Sequence, residues 1–116
     1  MRTVLLGLAL MAGPAFADDA VIEGAAARAS ASGWSFSVTL RHAETGWDDY
    51  ADGWRVETED GEVLGTRVLA HPHVNEQPFT RSLSGVVVPE GTTAIVIRAR
   101  TSADGWGKDL YQLDLP

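Results

Sequence analysis

The 116-residue sequence contains no cysteine. A disulfide framework is therefore excluded, and so are thiolate metal ligands and a cysteine nucleophile. Its two methionines, Met1 and Met11, both lie in the first 17 residues, so the remainder offers no thioether either and has no soft ligand for Cu(I). Positive charge is scarce: nine Lys and Arg face 16 Asp and Glu, for a net charge of −7. Such a balance repels phosphate backbones and anionic lipid, so nucleic-acid binding is not expected. Long apolar runs are missing as well. The one candidate, Val4 to Ala12, falls well short of the roughly 20 residues that span a bilayer.

That short run belongs to "MRTVLLGLALMAGPAFA", with a single charge at Arg2 and an Ala15-Phe16-Ala17 end. This is the pattern of a secretory signal, residues 1–17, cleaved after Ala17. The expectation is a periplasmic or secreted protein with no membrane insertion after cleavage. Residues 18–116 then form one small domain whose packing must stabilise it without a covalent staple.

Period-2 patterning dominates the rest. In "WSFSVTL", Trp34, Phe36, Val38 and Leu40 alternate with Ser35, Ser37 and Thr39, the signature of a strand with one buried face. "WRVET" and "VLGTRVL" flank Asp60-Gly61, a tight-turn pair, and should form a hairpin. "TRSLSGVVV" stops at Pro89-Glu90-Gly91, "TAIVIRAR" sets Ile95, Ile97 and Ala99 against Val96, Arg98 and Arg100, and "KDLYQLDL" closes the chain with Tyr111, Leu113 and Leu115 on one side. "AVIEGAAARAS" reads as a first strand, since Val21, Ile22 and Gly24 disfavour a long helix. Seven strands in this length predict an all-β, antiparallel sandwich of immunoglobulin-like or fibronectin-type-III-like form. A small barrel is the alternative. No exposed apolar strand stands out, and a monomer is expected.

With seven antiparallel strands, the loops alternate between the two ends of the sandwich. The short turns at 30–33, 60–62 and 89–93 share one end. Loops 41–53, 70–79 and 101–107 share the other, and they hold all three histidines, two of the four tryptophans and many of the carboxylates. Long loops over a rigid scaffold are the usual seat of function.

Three chemistries are open there. His71-x-His73 places two imidazoles on the same side of an extended segment, and His42 and Glu76 could complete a Zn(II) or Cu(II) site. The competing reading makes the histidines structural, with Pro72 and Pro78 stiffening the loop and Phe79 anchoring it. Asp48, Asp52, Gly53 and Glu59 match part of a calcium-loop pattern, but Tyr50 interrupts it and no helices flank it. Each Trp follows a Gly. Trp34 and Trp54 open strands and belong to the core, whereas Trp47, Tyr50 and Trp106 are placed to contact a protein or carbohydrate partner. No nucleophile motif is present, and although His42 could pair with Glu44 or Asp48, an enzyme is not expected. Arg81, Arg98 and Arg100 read as a solvated face paired with nearby carboxylates.

At "RHAETGWDDYADGW", "HPHVNEQPFTRS" and "ARTSADGWG" the chain resembles a group of small exported bacterial domains, functionally uncharacterised, that carry a similar His-Pro-His loop and Gly-Trp loops. The resemblance spans about residues 34–116. It implies an exported β domain and brings no catalytic or cofactor residues to carry over.

Overall fold

The computed structural model describes residues 18–116, so the expected signal segment, 1–17, lies outside the described residues. Among the described residues there is no helix, and hence none long and apolar enough to cross a membrane. Eight strands run in order: β1 (Val21–Ser30), β2 (Gly33–Arg41), β3 (Ala51–Glu57), β4 (Val63–Val68), β5 (Phe79–Val86), β6 (Ala94–Thr101), β7 (Gly105–Trp106) and β8 (Tyr111–Asp114). They form two antiparallel sheets, β1-β2-β5 and β4-β3-β6-β7, with β8 also paired to β6. The sandwich expected from periodicity is present.

All seven expected strands occur, and the count rises to eight through β7. Its two residues pair with Arg100 and Thr101, and Gly107 N–H donates to the Ala99 carbonyl at 2.8 Å. A strand of two residues has no alternation to read, which is why this segment was expected to be loop. The last strand is also shorter than its apolar pattern, ending at Asp114.

The core follows from the alternation. Phe36, Val38 and Leu40 of β2 are fully buried and face Trp54 and Val56 of β3 and Ile95 and Ile97 of β6, closed by Leu69, Phe79 and Val86. Fully burying one such side chain is worth about 1.5–3 kcal/mol, so this cluster dominates the stability of a chain with no disulfide. Trp54 is core as expected. Trp34 lies at the rim, half-buried and stacked on Phe36 at 6.4 Å between ring centres.

On the outer face of the second sheet, Glu57 is buried between two arginines. Arg55 Nε donates to its Oε2 at 2.6 Å and Arg98 Nε to the same oxygen at 2.8 Å. Burial pushes the Glu57 carboxyl up, but the hydrogen bonds from Arg98 and Arg55 outweigh it and hold the group below its usual value. Arg100 pairs with Asp52. Arg98 and Arg100 thus have carboxylate partners as expected, but the Arg98–Glu57 pair is part-buried and not part of a solvated face.

Candidate functional site at the loop end

The three long loops meet at one end of the sandwich. Tyr50 accepts a hydrogen bond on its carbonyl from Ser102 N–H at 2.8 Å, and its own N–H donates to Ser102 Oγ at 3.0 Å. His42 N–H donates to Gln77 Oε1 at 2.9 Å, and Gln77 Nε2 donates to the His73 carbonyl at 2.9 Å. The opposite end gathers the 58–62 and 89–94 turns around a shallow depression. Two of the three short turns thus share the end opposite the long loops, as the alternation predicts.

The centre of the loop end is Glu44. Its side chain is completely buried and receives three hydrogen bonds: from His42 Nδ1 at 2.6 Å, from Ala51 N–H at 2.6 Å, and from His73 N–H at 2.9 Å. One carboxylate thereby ties the end of β2, the start of β3 and the His-Pro-His loop together. His42 Nε2 faces the Asp18 carbonyl at 2.8 Å. A carbonyl only accepts, so Nε2 carries a proton, and the short contact at Nδ1 holds another between ring and carboxylate.

The expected metal set is not assembled. His42 is committed on both nitrogens. Glu76 is exposed and takes Arg81 Nη2 at 3.1 Å, the hydrogen bond that holds its carboxyl below the usual value. His71 is exposed, and its Nδ1 donates to the Pro72 carbonyl at 3.1 Å. His73 is buried, stacked on Phe79 at 4.0 Å with 13° between planes, and His71 lies against it at 4.7 Å. His71 and His73 do come together, ring upon ring. Among the described residues, no group of three or more His, Asp or Glu side chains is arranged to hold a metal ion. Neither His73 ring nitrogen has a hydrogen-bond partner, and Nδ1 stands 3.9 Å from Glu44 Oε1. Burial, then Arg81 and His71, holds His73 below its usual pKa and keeps it neutral. The calcium-like pattern dissolves: Asp52 and Gly53 lie within β3, and Asp52 neutralises Arg100.

Of the expected contact aromatics, Trp47 and Tyr50 meet and Trp106 goes elsewhere. Gly46 adopts φ +133°, open to glycine and rare for other residues, and starts a turn closed by Asp49 N–H to the Gly46 carbonyl at 3.2 Å. Trp47 stands at its apex, 66% exposed. Tyr50 packs against it edge-on, 5.5 Å between centres and 77° between planes. Trp106 belongs to β7, where the Arg55 guanidinium covers its ring at 4.0 Å. The residue missed as the hub was Glu44, although His42-x-Glu44 on extended chain puts both side chains on one side.

A protein of Halomicrobium mukohataei named "Putative lipoprotein" is 44% identical to the chain over 96 residues, covering 83% of the chain and 45% of that protein. The chain thus spans less than half the length of this relative. No family model matches the sequence. No solved structure matches it either.

Proposed function

We propose that the chain is an exported, non-enzymatic interaction domain whose loop end binds a partner through Trp47 and Tyr50. The observation that carries this reading is an exposed tryptophan held at the apex of a turn whose base is fixed by a buried network. A tryptophan raised on a fixed turn and edged by a second aromatic ring offers a partner a rigid apolar surface with little side-chain entropy left to lose. Export is supported by the signal-like first 17 residues and by the lipoprotein name of the relative. The non-enzymatic reading is supported by the His42–Glu44 pair, which is buried and fully occupied in joining segments of backbone.

The test is a binding screen of residues 18–116 against immobilised glycans and peptides, run beside the Trp47→Ala/Tyr50→Ala variant. Ligands lost in the variant, with its melting unchanged, are the expected result. Ligands held equally by both proteins would move the contact surface elsewhere.

One observation favours a second reading, in which His71 and His73 take a Zn(II) or Cu(II) ion: the two buried ring nitrogens of His73 are without partners. Titration calorimetry with both ions, on wild type and His71→Ala/His73→Ala, separates it from the first.

A further inference from the structure

We propose that the partner of this loop end is a cationic protein segment, with a Lys or Arg side chain seated against Trp47 and Tyr50. This deepens the contact-surface reading and rests on it. Two rings at 77° form a corner, and a cation within about 6 Å of an aromatic face is attracted by its quadrupole. The surrounding charge selects the same ligand. Asp48, next to Trp47, is exposed and has no ion pair among the described residues. Arg41, Arg81 and Arg100 each have a carboxylate of their own, Glu23, Glu76 and Asp52.

A second group of carboxylates lies beyond Asp49. Asp49 Oδ1 is buried without a hydrogen bond and lies 3.5 Å from His42 Nε2. His42 in turn lines a cleft of about 430 Å³ bordered by Asp18, Asp19 and Asp109, with one cation, Arg41, at its wall and paired to Glu23. A smaller groove shares Asp19, Val21 and Asp109 with it, between the outer edges of β1 and β8, and there Val21 and Leu110 are 43% and 49% exposed. The cleft therefore offers carboxylates beside apolar surface, which fits a basic segment carrying an apolar residue. A neutral sugar would strip water from unpaired carboxylates without replacing it, whereas a cation offsets that cost. The net charge of −7 adds long-range attraction.

The experiment is an NMR titration of ¹⁵N-labelled residues 18–116 with acetyl-Gly-Arg-Gly-Arg-Gly-amide, and separately with chitotetraose. The Trp47 indole N–H, assigned through Trp47→Phe, reports the contact in wild type, and the backbone amide shifts of Asp48, Asp49 and Tyr50 report affinity in every variant. The expected result is a saturable shift of that signal by the arginine peptide, with binding weakened about tenfold in Trp47→Ala and several-fold in Asp48→Asn and Asp109→Asn. Undiminished binding in Trp47→Ala would mean diffuse attraction to an acidic protein and would overturn the proposal. A Trp47 shift with chitotetraose and none with the peptide would overturn the cationic partner while leaving the contact surface standing. No shift with either probe would remove both.

Discussion

Replacing Glu44 by alanine should come close to unfolding the domain. The substitution removes the acceptor for three buried donors, His42 Nδ1 and the N–H groups of Ala51 and His73. Each buried donor left unsatisfied costs about 1–3 kcal/mol, so the three together give an expected loss of about 3–9 kcal/mol. A domain of this size has roughly 5–15 kcal/mol in all. Glu44→Gln keeps one carbonyl acceptor and the side-chain volume, and should lose about 1–3 kcal/mol. Urea melts followed by tryptophan fluorescence measure both variants, because Trp54 is buried in the core and reports unfolding. A Glu44→Ala variant within about 1 kcal/mol of wild type would refute the hub, since water would then be replacing the carboxylate at little cost.

Other expected outcomes bear on the frame and the pH dependence. Glu57→Gln leaves Arg55 and Arg98 facing a neutral amide in a buried site, and a loss of about 2–4 kcal/mol in the same melt is expected. Acid should act in two stages. His73 is held below 6.5 in the fold, so the unfolded chain takes up its proton first; stability is complete above about pH 6.5 and falls as pH drops from there to the folded value. The Glu57 carboxyl is held below 4.5, so its contribution is present above about pH 4.5 and is lost as pH falls through the lower folded value. Melting points taken from pH 7.5 to pH 3 check both, and His73→Phe should flatten the upper stage alone. Gly33 has φ +119° and its missing Cβ would meet the Val86 carbonyl oxygen at 2.9 Å, so Gly33→Ala should cost about 1–3 kcal/mol in the urea melt.

Much of the fold was legible because a sheet with one buried face writes its period into the sequence. Phe36, Val38 and Leu40 are buried and their Ser and Thr neighbours face outward, as the alternation demands. The hairpin between Trp54 and Leu69 was legible from Asp60-Gly61, and Gly61 indeed has φ +95°. The short strand β7 was not, because its pairing depends on a turn that brings Trp106 back along β6 and on the Arg55 guanidinium that covers the ring. Loop chemistry was less legible for a related reason. Spacing brought His71 and His73 together, but whether a histidine has a free nitrogen depends on distant partners. His42 is bound to the Asp18 carbonyl, 24 residues earlier in the chain, and Glu76 is drawn off by Arg81 on β5. The Gly-Trp pair in a long loop marked Trp47 as a contact residue, and the turn from Gly46 to Asp49 leaves it in solvent.

His42 and His73 are, on this account, fastened by Glu44 into the buried network beneath the turn that carries Trp47. Calorimetric titration of residues 18–116 with Zn(II) and Cu(II) at pH 7.5 tests that claim most directly, with the His71→Ala/His73→Ala variant alongside. No micromolar uptake by the wild type, together with a variant that melts at lower temperature, is the predicted result. Micromolar or tighter binding that disappears in the variant would contradict the account and make the His-Pro-His loop a metal site.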